Sequence, residues 1–196
     1  NLYHYQARGV CLVIPPWNFP LAIMTGMLSA AILAGNTAVL KPASQTPVIA
    51  AKLMRLLKEA GLPKGVVNFV PGQGSIIGDH LVQHPDVHCI AFTGSQEIGC
   101  RINRLGADVG NGQNHLKRII AEMGGKNAII IDSDADVDDA VHGTIVSAFG
   151  YQGQKCSAAS RVVVVGDIYE KYIHRLVEAA RSLKIGAPED PGNFMG

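Results

Sequence analysis

An α/β fold, in which a parallel sheet carries helices on both faces, is what this 196-residue chain predicts. Short runs rich in β-branched residues alternate with longer segments of helical period, in a βαβα rhythm. The short runs are apolar throughout, as strands are when helices bury them from two sides. Polar, glycine-bearing segments follow several of them, at the strand C-termini where open parallel sheets hold ligands.

Taken in order, Val10–Ile14 reads as the first strand and residues 21–34 as a buried helix. Thr37–Leu40 and residues 48–59 form the next strand and helix, residues 66–70 and 75–83 the third pair, and residues 89–92 and 97–105 the fourth. Pro15-Pro16-Trp17-Asn18, Lys41-Pro42-Ala43-Ser44, Pro71-Gly72-Gln73-Gly74 and Thr93-Gly94-Ser95 each follow one of these strands. Residues 106–115 are rich in Gly and Asn and read as a loop, behind which a second block of the pattern starts. Its strands are residues 119–122, 128–131 and 162–165, and its helices are Val137–Phe149 and the amphipathic segment 169–183. Asp134 and Asp136 are both placed to cap the helix that begins at Val137. The domain boundary is set behind Met123, giving domains of residues 1–123 and 124–196.

Apolar residues make up 47% of the chain and charged residues 17%, enough for one sizeable core or for a domain and part of another. A net charge of +1 with scattered Lys and Arg leaves no footprint for nucleic acid or an anionic membrane surface. The most apolar stretch, residues 21–34, contains Thr25, Gly26 and Ser29 and falls short of the roughly 20 apolar residues of a membrane span. Cys11, Cys89, Cys100 and Cys156 are far apart in sequence and lack CxxC or Cys/His spacing. Neither a zinc site nor a disulfide framework is expected, and a reducing, cytoplasmic compartment is. The histidines show no ligand spacing, so no metal is expected. The chain opens on Asn1-Leu2-Tyr3, with no initiator Met or signal pattern, and is expected to be a piece of something longer.

Cys156 lies in Gly153-Gln154-Lys155-Cys156-Ser157, between a helical segment and a strand, where the N–H groups of a turn can face a substrate. A lone cysteine is more commonly a small core residue, so its neighbours carry the case. Glu122 ends an apolar strand and precedes Gly124-Gly125, so partial burial and a pliable backbone would suit it to act as a general base. Asn18, in Trp17-Asn18-Phe19-Pro20, is either a turn residue or an amide donor at a strand C-terminus. Lys41 ends an apolar strand, where an ammonium is costly unless it meets an anion or a hydroxyl-rich ligand. The segment from Gly72 to Gly78 has GxGxxxG spacing instead of the dinucleotide GxGxxG. Phe92-Thr93-Gly94-Ser95-Gln96-Glu97-Ile98-Gly99 is a better candidate: a glycine turn entering a helix whose first N–H groups, with the Ser95 hydroxyl, suit a pyrophosphate. The plainer reading is that Ser95 is an N-cap.

Taken together, Pro16-Trp17-Asn18-Phe19-Pro20, Gly35-Asn36-Thr37 through Lys41-Pro42, Phe92-Thr93-Gly94-Ser95 with Gly99, Glu122-Met123-Gly124-Gly125-Lys126 and Gly153-Gln154-Lys155-Cys156 resemble the ordered signature of the aldehyde dehydrogenase superfamily, over nearly the whole chain. Gln113-Asn114-His115-Leu116-Lys117-Arg118 and the segment from Phe149 to Ala158 are similar to the Δ1-pyrroline-5-carboxylate, or glutamate-semialdehyde, dehydrogenases. Those occur alone or as the C-terminal part of bifunctional proline-utilisation proteins. The resemblance implies a Rossmann-like NAD(P)-binding domain followed by the first part of an α/β catalytic domain. It implies NAD(P)-dependent oxidation of an aldehyde to a carboxylate, with L-glutamate 5-semialdehyde becoming L-glutamate in proline degradation. In that chemistry the Cys156 thiolate attacks the aldehyde carbon, the Asn18 amide and the Cys156 N–H hold the oxyanion, and Glu122 activates the water that hydrolyses the thioester. Trp17, Gly94, Ser95 and Gly99 are implied at the pyrophosphate and Lys41 and Ser44 at the adenine ribose, with Gly74 and Gly124 completing the cofactor set. A homo-oligomeric parent is implied as well, with a proline dehydrogenase as partner or fused domain.

Many members of that superfamily carry Glu three residues after the lysine, where this chain has Ser44. Serine removes a charge that would repel a 2′-phosphate, so NAD is expected as the main cofactor with NADP tolerated. Members are much longer, and their substrate-anchoring loop and oligomerisation strands would lie beyond Gly196, so this chain alone is expected to turn over weakly or not at all. Three alternatives remain open, one of them a plain structural domain, which would fail to bind NAD even at millimolar concentration. A coenzyme A-acylating semialdehyde dehydrogenase would ordinarily lack the acid supplied by Glu122, and a catalytically silent nucleotide-binding module would bind NAD without acylating Cys156.

Overall fold

The computed structural model describes residues 1–4 and 6–196. Among these the chain forms seven strands and six α-helices, divided between two compact units, Asn1–Met123 and Gly124–Gly196.

The first unit runs β1 (Val10–Ile14), α1 (Ala22–Leu33), β2 (Thr37–Leu40), α2 (Pro47–Glu59), β3 (Val67–Phe69), α3 (Gly74–Gln83), β4 (Val87–Gly94), α4 (Gln96–Ala107) and β5 (Arg118–Met123). All neighbouring strands pair in parallel, in the order β3-β2-β1-β4-β5. Parallel neighbours need long crossovers, which α1 to α4 supply. Side chains alternate between the two faces of β1, and both faces are buried. Val13 packs with Ala38 and Leu40 of β2 against Met24 and Leu28 of α1 and Ala50 of α2. Leu12 and Ile14 pack with Ile90 and Phe92 of β4 against Val82 of α3 and Ile102 of α4. Fully burying each such side chain contributes about 1.5–3 kcal/mol, which is why the strand run tolerates no polar position. The α/β sheet with helices on both faces is therefore present as the sequence pattern predicts.

Two local features explain motifs in the sequence. Gly35 follows α1 with φ 83°, its N–H donating to Ile32 O at 2.9 Å while Asn36 N–H donates to Ala31 O at 3.1 Å. This is a Schellman stop, which favours glycine because only it takes positive φ without strain. Asn36 is buried, and its Oδ1 accepts from the backbone N–H groups of Arg8 and Gly9 at 2.6 and 3.1 Å, tying the entry into β1 to the end of α1.

The boundaries differ from the sequence reading in three places. Residues 106 and 107 are helical, not loop: Gly106 is buried in α4, where an added Cβ would come within 2.7 Å of Ile119 Cδ1. That glycine serves close helix–sheet packing and not a turn. Residues 119–122 belong to the first sheet, β5 pairing with β4 from Cys89↔Arg118 to Gly94↔Met123. The stretch leading into β5 is anchored near the start of β4. Lys117 Nζ donates to Val82 O and His84 O at 2.7 and 2.8 Å, and His115 stacks on His88 at 3.9 Å. Third, β4 begins at Val87 and ends at Gly94, longer than residues 89–92, because its start is held by pairing with β1 and its end, Thr93 and Gly94, by pairing with β5.

Cys11 and Cys89, 78 positions apart in the chain, are register partners across β1 and β4, and both are buried. Their thiol contact, with burial behind it, pushes the Cys11 thiol well above the ordinary thiol range.

The second unit runs β6 (Asn127–Ile131), α5 (Val137–Phe149), a 3-10 turn over Gly150–Gly153, β7 (Ala159–Val164) and α6 (Tyr169–Arg181), with β6 and β7 paired in parallel. Ile131, Val137, Val141, Ile145 and Tyr172 form its core. The Thr144 hydroxyl donates to Ala140 O at 2.8 Å, so the Tyr172 hydroxyl, 2.8 Å from Thr144 Oγ1, is the donor of that buried pair. Asp136 caps α5 by accepting from the N–H groups of Asp138 and Asp139 at 2.9 and 3.1 Å, whereas Asp134 lies in the preceding turn and is not the cap.

Candidate active site

In the first unit every strand ends at one edge, and the candidate residues collect there. Trp17 and Asn18 follow β1, Lys41 and Ser44 follow β2, Gly72 and Gly74 follow β3, Gly94 and Ser95 close β4, and Glu122 is near the end of β5. The order of strands reverses between β1 and β4, the position at which doubly wound sheets open a crevice.

A cleft of about 440 Å³ lies at this edge between α3 and α4. Lys41, Ser44 and Gly74 line it, together with Ser75, Asp79, Glu97 and Arg101, over a floor that includes Ile14 and Val82. Lys41 is 5% exposed, and its Nζ donates to Pro42 O at 3.0 Å and Gly72 O at 3.3 Å. The ammonium is thus held by two carbonyls within the chain, so the sequence expectation that it needs an anion is met in part from within. Burial still lowers its pKa. Ser44 Oγ donates to the same Gly72 carbonyl at 3.4 Å, so the loops after β2 and β3 are joined under the cleft. A Cβ at Gly74 would be 4.0 Å from Lys41 Cε, filling space beside the ammonium. Ammonium, hydroxyls and an apolar floor together suit a nucleoside whose sugar hydroxyls need donors and whose base needs a flat apolar wall.

Asp79 and Arg101 close one side of the cleft. Arg101 Nε donates to Asp79 Oδ1 at 2.9 Å and Nη2 donates to Oδ2, a bidentate pair joining α3 to α4 and holding the Asp79 carboxyl below the usual range. Nothing in the sequence singles this pair out, because its partners are 22 residues apart on different helices.

Gly94 and Gly99 have packing reasons of their own. A Cβ at Gly94 would come within 2.6 Å of Phe92 Cζ, and one at Gly99 within 2.6 Å of Met123 Sδ and 3.2 Å of Phe92 Cε1. Gly99 is buried in the first turn of α4, letting the start of that helix sit close on the sheet. Ser95 is the N-cap of α4, its Oγ accepting from Ile98 N–H at 3.4 Å, so the plainer reading of this serine holds. Trp17 is 48% exposed, and Asn18 is half-buried in the bend after β1. None of Trp17, Asn18, Gly94, Ser95 and Gly99 is among the cleft-lining residues. Glu122 is register partner of Thr93 and is exposed, which corrects the expectation of partial burial: on β5 the buried side is that of Ile119, Ala121 and Met123.

In the second unit Cys156 is exposed, as is Cys100 in the first, whereas Cys11 and Cys89 are buried. Cys156 occupies a turn between the Gly150–Gly153 segment and β7, closed by Ala158 N–H donating to Lys155 O at 3.2 Å. Just before it Tyr151, Gln152 and Gly153 have φ values of 56°, 55° and 66°. Left-handed backbone at two successive non-glycine residues is costly and is kept where a site needs it. Asn127, unremarked in the sequence, donates from Nδ2 to Cys156 O at 2.7 Å and to Ala158 O at 3.1 Å. Gly124 opens this unit, and a side chain there would meet nothing within 4 Å. No group of metal-ligating side chains is present among the described residues, and no described helix is long and apolar enough to cross a membrane.

Comparison with known proteins gives consistent matches. The family model described as "Aldehyde dehydrogenase family" matches residues 1–196. The chain is 53% identical over 196 residues to a 1-pyrroline-5-carboxylate dehydrogenase of Bacillus subtilis, covering all of this chain and 38% of that protein. A solved 1-pyrroline-5-carboxylate dehydrogenase from Thermus with bound NAD superposes with a TM-score of 0.93 at 45% identity, covering 97% of this chain and 37% of the other. Proline utilization A from Bdellovibrio bacteriovorus superposes with a TM-score of 0.94 at 55% identity, covering 98% of this chain and 20% of the other. The chain thus spans well under half the length of the relatives it matches.

Proposed function

Because the chain belongs to the aldehyde dehydrogenase family, we propose that it carries the cofactor-binding domain and the nucleophile of an NAD-dependent dehydrogenase that oxidises L-glutamate 5-semialdehyde to L-glutamate. The observation that carries this is an exposed Cys156 on a turn approached through left-handed backbone, in a chain 53% identical throughout to a 1-pyrroline-5-carboxylate dehydrogenase.

Cys156 Sγ, as thiolate, adds to the aldehyde carbon, forming a C–S bond while the C=O electron pair moves to oxygen. The Asn18 amide and the Cys156 N–H hold that oxyanion with fixed donors, which lowers the barrier because the donors need no reorganisation. A bound NAD would supply the acceptor for the hydride expelled as the oxyanion collapses, and the Cys156 thioester would remain. Glu122 takes a proton from water as that water adds to the thioester, and breaking the C–S bond releases the carboxylate and restores the thiolate. Lys41, Ser44 and Gly74, which line the cleft, would hold the adenosine end of NAD, and Trp17, Gly94, Ser95, Gly99 and Gly124 would serve the rest of it. Ser44 places no charge against a 2′-phosphate, so NADP is tolerated. The whole protein acts as a cytoplasmic homo-oligomer, beside a separate proline dehydrogenase or joined to one; the similarity to proline utilization A supports the joined form.

The test is NADH formation by the intact protein from glutamate 5-semialdehyde and NAD, with Cys156→Ala and Glu122→Gln alongside. Cys156→Ala should be inactive, and Glu122→Gln should accumulate an acyl adduct on Cys156 visible by mass spectrometry. Turnover in the Cys156→Ala variant would overturn the proposal, and NAD binding with no adduct in any variant would point to a silent nucleotide module.

A further inference from the structure

Asn127 is the first residue of β6 and pairs in register with Ala159, with a register shift between Asn127 and Ala128. Such a bulge re-aims a side chain out of the regular pleat. Here the amide points back onto the turn that carries Cys156, where Nδ2 meets Cys156 O at 2.7 Å and Ala158 O at 3.1 Å. An amide nitrogen carries two protons, so one side chain holds both carbonyls at once. These carbonyls lie on either side of Ser157, and the turn is closed independently by Ala158 N–H on Lys155 O. Gly125 lies beside this contact, where a Cβ would stand at ordinary contact distance, 3.4 Å from Asn127 Oδ1 and 3.7 Å from Cys156 O. On the opposite side the chain reaches Cys156 through the left-handed residues Tyr151, Gln152 and Gly153. A segment with that backbone gains by relaxing unless its far end is held.

We propose that Asn127 is a positioning residue for the nucleophile: its two hydrogen bonds hold the backbone from which the Cys156 thiol projects. The proposal rests on the reading of Cys156 as the nucleophile. It assigns to Asn127 no contact with substrate or cofactor. Asn127→Asp keeps the size of the side chain but removes both donor protons and sets a carboxylate against two carbonyls. Asn127→Ser keeps one donor.

The experiment measures kcat, KM for NAD and Tm for the intact native protein and both variants, and the alkylation of Cys156 by iodoacetamide relative to Cys100 in the same sample. Asn127→Asp is expected to lower kcat about 10-fold or more, since small misplacements of a reacting group are that costly. KM for NAD should stay within about twofold, because the loss is of transition-state geometry and not of cofactor binding. The ratio of Cys156 to Cys100 alkylation should change in the same variant, and Asn127→Ser should recover part of kcat. A folded Asn127→Asp protein with native kcat and native alkylation ratio overturns the proposal, as does a loss that appears only as a rise in KM. Should Asn127→Asp fail to fold, Asn127→Ser decides: native kcat refutes, an intermediate value supports. Turnover by Cys156→Ala would remove the nucleophile itself, a result separable from native-like behaviour of the Asn127 variants.

Discussion

Replacing Lys41 by Met separates what this residue does for ligand from what it costs the fold. The substitution keeps an unbranched side chain of similar length and removes the ammonium, which is 5% exposed and bonded to Pro42 O and Gly72 O. For binding, the loss is one charge-assisted hydrogen bond to a sugar hydroxyl, roughly 1.5–3 kcal/mol, or about 10- to 150-fold in Kd for NAD. For stability two terms oppose each other. A carbonyl left without its donor costs about 1–3 kcal/mol, while the charge no longer has to be stripped of water. Burial lowers the Lys41 pKa, so removing the charge relieves a desolvation cost that offsets part of the lost donor. At about 2–4 °C per kcal/mol for a chain of this size, Tm at neutral pH should move by less than about 5 °C. The pH dependence carries the sign. The folded pKa lies below the ordinary 10.5, so the penalty of the buried charge is complete below the folded value and fades as pH rises from there toward 10.5. Native protein should therefore gain Tm relative to Lys41→Met between neutral and strongly alkaline pH. Calorimetry on both proteins, with NAD titrations read by Trp17 fluorescence, tests both halves. A native-minus-variant difference in Tm that is flat or falls with pH would refute the desolvation argument, and an unchanged Kd would remove Lys41 from the ligand site.

Three further outcomes are expected. Ser44→Glu should lower kcat/KM for NADP about 10-fold or more while leaving NAD nearly untouched, because a carboxylate is set against the 2′-phosphate; an unchanged ratio would show that position 44 does not face that phosphate. Asp136→Ala removes the acceptor of two N–H groups at the start of α5 and should destabilise the second unit by about 1 kcal/mol with NAD affinity unaltered, as calorimetry and titration can check. Gly153→Ala meets both a φ of 66° and a Cβ placed 2.9 Å from Ala148 O, so it should cost about 1–3 kcal/mol. A native Tm in that variant would mean that the left-handed segment relaxes freely.

The strands of the first sheet are legible in sequence because burial on both faces leaves β1 and the centres of β2 and β4 apolar, a local signal that needs no knowledge of partners. The motif residues Asn18, Lys41, Gly94, Glu122 and Cys156 are legible for a related reason: each follows or ends an element in a short string of unusual composition. Gly106 misled as a loop residue because a glycine that permits close packing and one that permits a turn look alike along a chain. The same limit hides pairs. Cys11 with Cys89, Asp79 with Arg101, and Asn127 with Cys156 become neighbours only when strands and helices are laid side by side.

By itself, then, the sequence determined the class of fold and the order of its elements and singled out Cys156 as the nucleophile to propose, because hydrophobic period and short motifs are encoded within a few residues of one another. Tertiary structure decided how Lys41 is satisfied, what Gly99 is for and what holds the turn of Cys156. Those are contacts between segments up to 31 residues apart, and their energies depend on distances that no local pattern specifies.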